Sequence, residues 1–560
     1  MEKVWLKSYE EGVPENINPD SYPSLMHYAE ECFNEHKGKV AYTNMGVALS
    51  YNDLDSLSKA FAGYLLSECG LQQGDRVAIM MPNLLQYPIL MFGILRAGLV
   101  VVNVNPLYTP RELTHQMTDS GAKCIIALEN FGNTVEVSLP DCPDLKHIIM
   151  TEIGDMFPGL KGKLVNFVVR YVKKMVPKWH IPNHLSFKTC IQKKYIAQYE
   201  RPHLTGDDIA YLQYTGGTTG MAKGAILTHR NMMSNVLQAT AWISPLVKKG
   251  LSGGIVTALP LYHIFSLTAN CLTFLKVGIP NILITNPRDM AGFVKELKRQ
   301  PFSVLTGVNT LFNGLLHNEA FRGLDFSKFQ FVLGGGMAVQ RAVAEEWKRV
   351  TGVPLVEAYG LTEACPAVTI NPMQNKEFNG SIGLPLSSTD ISIRDEEGNE
   401  LGIEEAGELC VKGPQVMRGY WNNPEKTREV IKDGWLYTGD IATVDENGFV
   451  RIVDRKKDMI IVSGFNVYPN EVESVIMDLE GVKEVAVIGV QKDVQGEMVK
   501  AFIVRENTNE SVITPDKILE HCKKNLTNYK IPKEIEFRDE LPKTNVGKVL
   551  RRALRDEKKA

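Results

Sequence analysis

The chain has 560 residues, 44% of them apolar and 23% charged, with a formal net charge of −3. That length exceeds what one hydrophobic core supports and predicts two to four domains or subdomains, while the near-neutral balance offers no electrostatic case for a nucleic-acid partner. The 9 cysteines are scattered, odd in number and without a C-x-x-C pair. They argue against a disulfide frame or zinc site, and for reduced thiols in a cytoplasmic protein.

The opening Met-Glu-Lys-Val-Trp-Leu-Lys lacks the apolar core of a signal peptide. From about residue 20 to 200, helical and strand patterns alternate. Leu54 to Leu66 carries apolar residues at helical spacing, and continuous apolar runs come after it within 74–81, 99–105 and 123–128. Strands apolar on both faces and separated by helices predict a parallel sheet covered on both sides. The most hydrophobic region, Val77 to Val104, is broken by Pro82, Asn83, Gln86, Pro88 and Arg96. It falls short of the ~20 apolar residues of a membrane span, so it is expected to be core.

Between 160 and 180 the character changes. Leu164, Phe167, Val168, Tyr171, Val172 and Met175 fall on one side of a helix, and Lys163, Arg170, Lys173 and Lys174 on the other. One reading is a surface helix whose apolar face packs on the core. The other is a basic amphipathic helix touching an anionic membrane surface.

The stretch Tyr214-Thr-Gly-Gly-Thr-Thr-Gly-Met-Ala-Lys-Gly224 comes after a predicted strand, Ile209 to Gln213, and precedes a helix-like segment from Thr228. Glycines let successive backbone N–H groups approach a ligand, and the threonine hydroxyls and Lys223 add donors, as in an anion-binding loop. A plain Gly/Thr turn is the competing reading. The pattern is not G-x-x-x-x-G-K-[ST], because Ala222 precedes Lys223 and Gly224 comes after it, so kinase and GTPase loops are excluded by pattern.

From Val256 to about Val368 the helix–strand alternation repeats and predicts a second sheet. His263 sits among apolar residues, where a histidine is more often a hydrogen-bonded core residue than a catalyst. Leu333-Gly-Gly-Gly336 ends an apolar strand, where bare backbone suits a flat ring at a sheet edge. In Glu357-Ala-Tyr-Gly-Leu-Thr-Glu363, Tyr359 could stack on a base, Thr362 bond a phosphate, and Glu363 offer Mg²⁺ a hard oxygen. After residue 380, short strands and Gly/Asp/Asn turns predict a small β-rich unit. Within it Asp440, ending Asp433-Gly-Trp-Leu-Tyr-Thr-Gly-Asp440, could accept the vicinal hydroxyls of a ribose. The charged run Asp454-Arg-Lys-Lys-Asp458 reads as a linker to a small α+β domain. Lys548, on a Gly-bearing turn near the end, would by itself be a solvated charge.

The order YTGGTTGMAKG, YGLTE, YTGD, DRKKD, PKTNVGK reproduces the motif series of adenylate-forming enzymes, the superfamily of acyl-CoA synthetases, luciferases and peptide-synthetase adenylation modules. The chain resembles that superfamily over nearly its whole length. Residues Asp433 to Lys457 resemble the signature segment of fatty acyl-CoA synthetases. The stretches PNLLQYP, NVNPLYTPREL, ALPLYHIF, LITNPRD, TGVNTLFN and VSGFNVYPNEVE are similar to the bacterial long-chain branch of that family.

The resemblance implies an α/β fold: a large domain, 1–453, with two parallel-type sheets and a small β-rich subdomain; a hinge, 454–458, pivoting at Asp454; and a small mobile α+β domain, 459–560. It implies ATP-dependent activation of long-chain fatty acids to acyl-CoA through an acyl-adenylate, with Mg²⁺ as cofactor and ATP and CoA as co-substrates. Tyr214, Thr215, Gly216, Gly217, Thr218, Thr219, Gly220 and Lys223 would hold the ATP phosphates, and Thr215 and Glu363 the Mg²⁺. Gly335, Gly336 and Glu357, Ala358 and Tyr359 would frame the adenine, with Gly360 and Thr362 beside them. Asp440 and Arg455 would take the ribose, and Lys548 the carboxylate and α-phosphate; Lys548, Thr215 and Glu363 form the catalytic set. His263, Gly307 and Asn309 would lie near the acyl chain, and Ser463, Gly464 and Phe465 near the CoA path. A lipid substrate strengthens the membrane reading of 163–175, as peripheral contact with the cytoplasmic face of the membrane; a homodimer stays open. The competing readings are a medium-chain or aryl-acid CoA ligase, a luciferase-like oxygenase, and a non-catalytic nucleotide or lipid carrier.

Overall fold

All eleven residues of the helix Gln86–Arg96 are buried, so the most apolar part of the sequence is core. The helix packs on the strands Arg76–Met80 and Val100–Val104 and on the helix Tyr51–Ser67. Its cation, Arg96, is satisfied by Glu30 and Asp55, as a buried guanidinium must be. The structure is a computed structural model that describes residues 2–215, 221–462, 465–492, 496–506, 513–544 and 547–557.

Two large sheets take their strands from between Val40 and Tyr420. In the eight-stranded sheet the order is Gly419–Tyr420, Lys223–Thr228, Ile209–Thr215, Val100–Val104, Arg76–Met80, Cys124–Leu128, His147–Thr151, Leu185–Ser186. Every pairing from Ile209–Thr215 onward is parallel, and the two at the other edge are antiparallel. The nine-stranded sheet has parallel strands Leu355–Gly360, Phe331–Gly334, Phe302–Gly307, Gly254–Thr257, Asn281–Leu283 and Val40–Asn44. Antiparallel strands close both of its ends. The two expected sheets are therefore present, but each is mixed at an edge. The strand Val40–Asn44 also crosses over to the second sheet instead of joining the first. Periodicity registers that a strand is buried, not which sheet buries it.

Next in the chain is a five-stranded antiparallel unit, with Asp390–Arg394, Gly407–Lys412, Ile431–Lys432, Trp435–Val444 and Val450–Arg455. Asp454 and Arg455 still pair with Ile441 and Asp440, so the charged run begins inside a strand and turns only at 456–458. A last five-stranded sheet, with Ile460–Val462, Phe465–Val467, Val482–Lys492, Gly496–Arg505 and Glu534–Arg538, shares its own core with the helices Pro469–Met477 and Pro515–Asn525. That small α+β body matches expectation. All nine cysteines are free and buried.

The segment after residue 159 inverts one expectation. It forms the helix Gly159–Phe167 continued by a π-helical turn, Val168–Val172. Leu164, Phe167, Tyr171, Val172 and Met175, read as a face that packs on the core, are exposed. The buried side consists of Gly162, Asn166 and Val169. Gly162 lies so close to Gly154 that a Cβ there would stand 2.5 Å from the Gly154 carbonyl. The Asn166 amide oxygen accepts from the Gly154 N–H at 2.6 Å, and its nitrogen donates to Glu152 at 2.9 Å. Arg170, expected on the solvated basic face, turns inward to pair with buried Glu129. Polar anchoring and close backbone approach outcompete apolar burial here.

Candidate active site

The hairpin that carries the Gly/Thr-rich stretch is built from Ile209–Thr215 and Lys223–Thr228, with Thr215 opposite Lys223 and Tyr214 opposite Gly224. Gly216, Gly217, Thr218, Thr219 and Gly220 lie outside the described residues. Downstream, Thr228 accepts from the Asn231 N–H and caps the helix His229–Trp242 in a capping box. The hairpin is held from beneath. The Tyr214 hydroxyl donates to Asp119 at 2.6 Å, the Trp421 indole N–H donates to the Asp119 carbonyl at 3.0 Å, and His115 bonds the Ala222 carbonyl at 2.9 Å.

Beside the hairpin, the Tyr420 hydroxyl donates to the Glu363 carboxylate at 2.7 Å, and the Lys223 ammonium lies 5.2 Å from the centre of the Tyr420 ring. One aromatic residue thus holds both an expected phosphate-binding cation and an expected metal ligand. Sequence reading missed Tyr420 and Asp119. Their only sequence signal is Gly419-Tyr-Trp421, an aromatic pair after a glycine, and nothing in it names partners 57 residues away.

The glycine strand end is also assembled. The N–H of Gly335 donates to the Gly307 carbonyl at 3.2 Å, which ties two parallel strands together at their C-terminal ends. A Cβ on Gly335 would stand 3.1 Å from the Ala358 carbonyl, while Gly336 has φ +76°, a left-handed conformation that favours glycine. A Cβ on Gly360 would stand 2.2 Å from the Pro366 carbonyl, so the Tyr359–Thr362 turn needs that glycine. Buried Glu357 accepts from the Val339 N–H at 3.0 Å, and burial pushes its carboxyl up to about 8, which leaves it protonated at neutral pH. Asn309 accepts from the Gln340 N–H at 3.0 Å. Both side chains pin the 337–340 segment beside the glycines. Tyr359, expected to stack on a base, sends its hydroxyl to Asp440 at 2.5 Å.

Asp440 and Arg455 face each other across two strands, with the guanidinium Nε 3.0 Å from the carboxylate. Lys548 arrives at the same place from the small domain. Burial first, then Arg455, lowers its ammonium to about 8, with Asp440 opposing. Its turn docks on the large domain, since a Cβ on Gly547 would stand 2.4 Å from the Thr310 hydroxyl. His263 is close enough for Lys548 to help lower its imidazole to about 4, burial being the larger cause, so it is neutral. Lys548 is therefore not the solvated charge its local sequence suggests. It lies within electrostatic reach of Asp440, Arg455 and His263 across a domain boundary.

Asp454 is fully buried. Its carboxylate accepts from the N–H groups of Arg455 and Asn470, each at 2.7 Å, and lies 3.7 Å from Arg551. The expected pivot is thus bonded to the helix Pro469–Met477 of the small body. Ser463 and Gly464 lie outside the described residues. Phe465 is exposed and stacks on Tyr529 at 4.8 Å. Among the described residues no cluster of three His, Cys, Asp or Glu could hold a metal. Glu363 and Thr215, the residues expected to hold Mg²⁺, would offer two hard oxygens, a donor set that fits the ion only when ligand oxygens and water complete it.

A half-buried lysine of the small domain thus lies within electrostatic reach of a carboxylate and an arginine of the large domain. The chain belongs to the AMP-binding enzyme family: residues 29–421 match the family proper and residues 471–548 its C-terminal domain. It is 57% identical to the long-chain-fatty-acid–CoA ligase of Yersinia pestis, covering 100% of this chain and 98% of that one. It is 52% identical to the enzyme of the same name from Haemophilus influenzae, over 100% and 99%. Among solved structures, an anthranilate CoA ligase in complex with anthranoyl-AMP superposes with TM-score 0.82 at 25% identity, over 97% of this chain and 99% of that one.

Proposed function

We propose that the protein activates long-chain fatty acids to acyl-CoA through an acyl-adenylate, consuming ATP and CoA and releasing AMP and pyrophosphate. The observation that carries the mechanism is the half-buried position of Lys548 within electrostatic reach of Asp440, Arg455 and His263. The names of the relatives that match over the whole chain supply the substrate class.

In the first step a fatty carboxylate oxygen forms a bond to the α-phosphorus while the bond from that phosphorus to the pyrophosphate oxygen breaks. Two anions must approach, so the step needs positive charge and in-line positioning. Lys548 supplies a charge on the carboxylate and α-phosphate side. Lys223 supplies another on the leaving-group side, together with the loop 216–220. Asp440 and Arg455 receive the ribose, and the Gly335–Gly336 backbone with the 357–360 strand end frames the adenine. Thr215 and Glu363 would hold Mg²⁺, whose chemistry is neutralisation of phosphate charge. In the second step the CoA sulfur attacks the acyl carbon and AMP leaves. Neutral His263 can then line the acyl path without pairing with the substrate carboxylate. Rotation of the small domain about Asp454 would withdraw Lys548 and bring the 463–465 segment to the site.

A lipid substrate also favours work at a membrane surface, by peripheral contact through 163–175; no helix among the described residues is long and apolar enough to cross a membrane. The test is AMP release from purified protein across carboxylates of graded length and aryl acids. Release that requires both CoA and a long-chain fatty acid is expected. Preference for benzoate or a medium chain would replace the substrate class, and oxygen uptake would point to a luciferase-like reaction.

A further inference from the structure

Twelve large apolar side chains stand out as exposed among the described residues, and six of them are Leu160, Leu164, Phe167, Tyr171, Val172 and Met175, at 53% to 81% exposure. Residues 160, 164, 167 and 171 keep helical spacing along one stripe. A concentration of this kind within sixteen residues marks a contact surface, since single exposed apolar residues are ordinary but a contiguous patch is not. Exposed Lys161, Lys163, Lys173, Lys174 and Lys178 rim the stripe, and no acidic residue occurs between Lys161 and His180.

The anchoring beneath fixes this orientation. Gly162 against Gly154, Asn166 across Gly154 and Glu152, and Arg170 on Glu129 occupy the inward side. The Met175 carbonyl accepts from Asn130 at 3.0 Å and closes the far end. The segment therefore cannot roll its apolar face into the core without breaking the ion pair of Arg170 with buried Glu129. The π-helical turn Val168–Val172 sets Tyr171 and Val172 outward together while Arg170 points in.

We infer that the apolar stripe from Leu160 to Met175 enters the interfacial region of an anionic lipid bilayer, with the lysine rim on the headgroups and Arg170 serving as an internal strut. This deepens the lipid-activating function proposed above, on which it rests for its purpose. It also revises the basis of membrane contact: apolar insertion provides binding, and the lysines provide selectivity for anionic lipid. Charge decides against a second copy of this chain as the occupant. A two-fold interface sets a patch against itself and would bring the lysine rim against an identical rim, whereas an anionic surface neutralises it.

Full-length protein would be sedimented with vesicles of phosphatidylcholine alone and with added phosphatidylglycerol. The triple variant Leu164→Gln, Phe167→Gln, Tyr171→Gln should lower partitioning to both vesicles about tenfold, with an unchanged unfolding midpoint and unchanged AMP release on albumin-bound oleate, which is delivered without a bilayer. The variant Lys163→Gln, Lys173→Gln, Lys174→Gln should lose only the preference for phosphatidylglycerol. Wild-type partitioning by the apolar variant would overturn the inference. So would a wild-type dimer that the apolar variant converts to monomer, because that outcome gives the face to a second copy. Absence of AMP release from wild type on any fatty acid would reject the functional reading and leave the vesicle result to be judged separately.

Discussion

Lys548 carries the sharpest residue-level consequence. Burial disfavours the ammonium and lowers it from 10.5 to about 8, so the free enzyme loses this charge as pH rises through about 8 and keeps it below. The kcat/KM for adenylate formation, measured by pyrophosphate exchange, should accordingly fall on the alkaline side with an apparent pKa near 8. Lys548→Ala should remove that limb and slow exchange by about 10²–10³-fold, the size expected for losing one group that stabilises developing charge. Thioesterification of a supplied acyl-adenylate should be spared; equal loss of both half-reactions would remove the assignment. Glu357 is perturbed in the opposite sense, as a carboxyl that stays protonated because it is buried.

Among elements, the hairpin that brackets residues 216–220 depends on the helix on its C-terminal side. The capping box at Thr228 satisfies the first turn of His229–Trp242, and Asn231 donates onward to the carbonyls of Pro414 and Val416 at 2.9 and 2.8 Å. The cap thus ties the hairpin to the segment that leads to Tyr420. Thr228→Ala should lower unfolding free energy by about 1 kcal/mol, read from denaturant unfolding. It should also raise the KM for ATP, because the hairpin loses its downstream anchor. An unchanged KM would mean that Asp119 and Tyr214 hold the hairpin alone.

For the whole molecule, domain closure is the variable. The Cβ position of Gly547 lies 3.6 Å from the Thr310 Cβ, within the span of a disulfide. Thr310→Cys with Gly547→Cys should therefore cross-link under mild oxidation, the native thiols all being buried. The oxidised protein should exchange pyrophosphate and fail to form acyl-CoA, and a reductant should restore the second half-reaction. Full acyl-CoA synthesis in the cross-linked protein would exclude the rotation about Asp454.

Local chemistry in the sequence determined a good deal. Apolar runs identified the buried strands, and the ordered motifs identified the family to which the chain belongs. Each signal is local, because glycine conformation, strand burial and capping depend on near neighbours. Other features were decided only by tertiary structure. Val40–Asn44 joins the second sheet because a buried strand has no sequence marker of its partner. Tyr359 bonds Asp440 instead of lying free, and Tyr420 couples Lys223 to Glu363, through contacts between residues far apart in the chain. The amphipathic segment after residue 159 turned its apolar side outward because Gly162, Asn166 and Arg170 find specific partners on Gly154, Glu152 and Glu129. Periodicity gives a helix its two faces, but only the groups that meet it decide which one is inside.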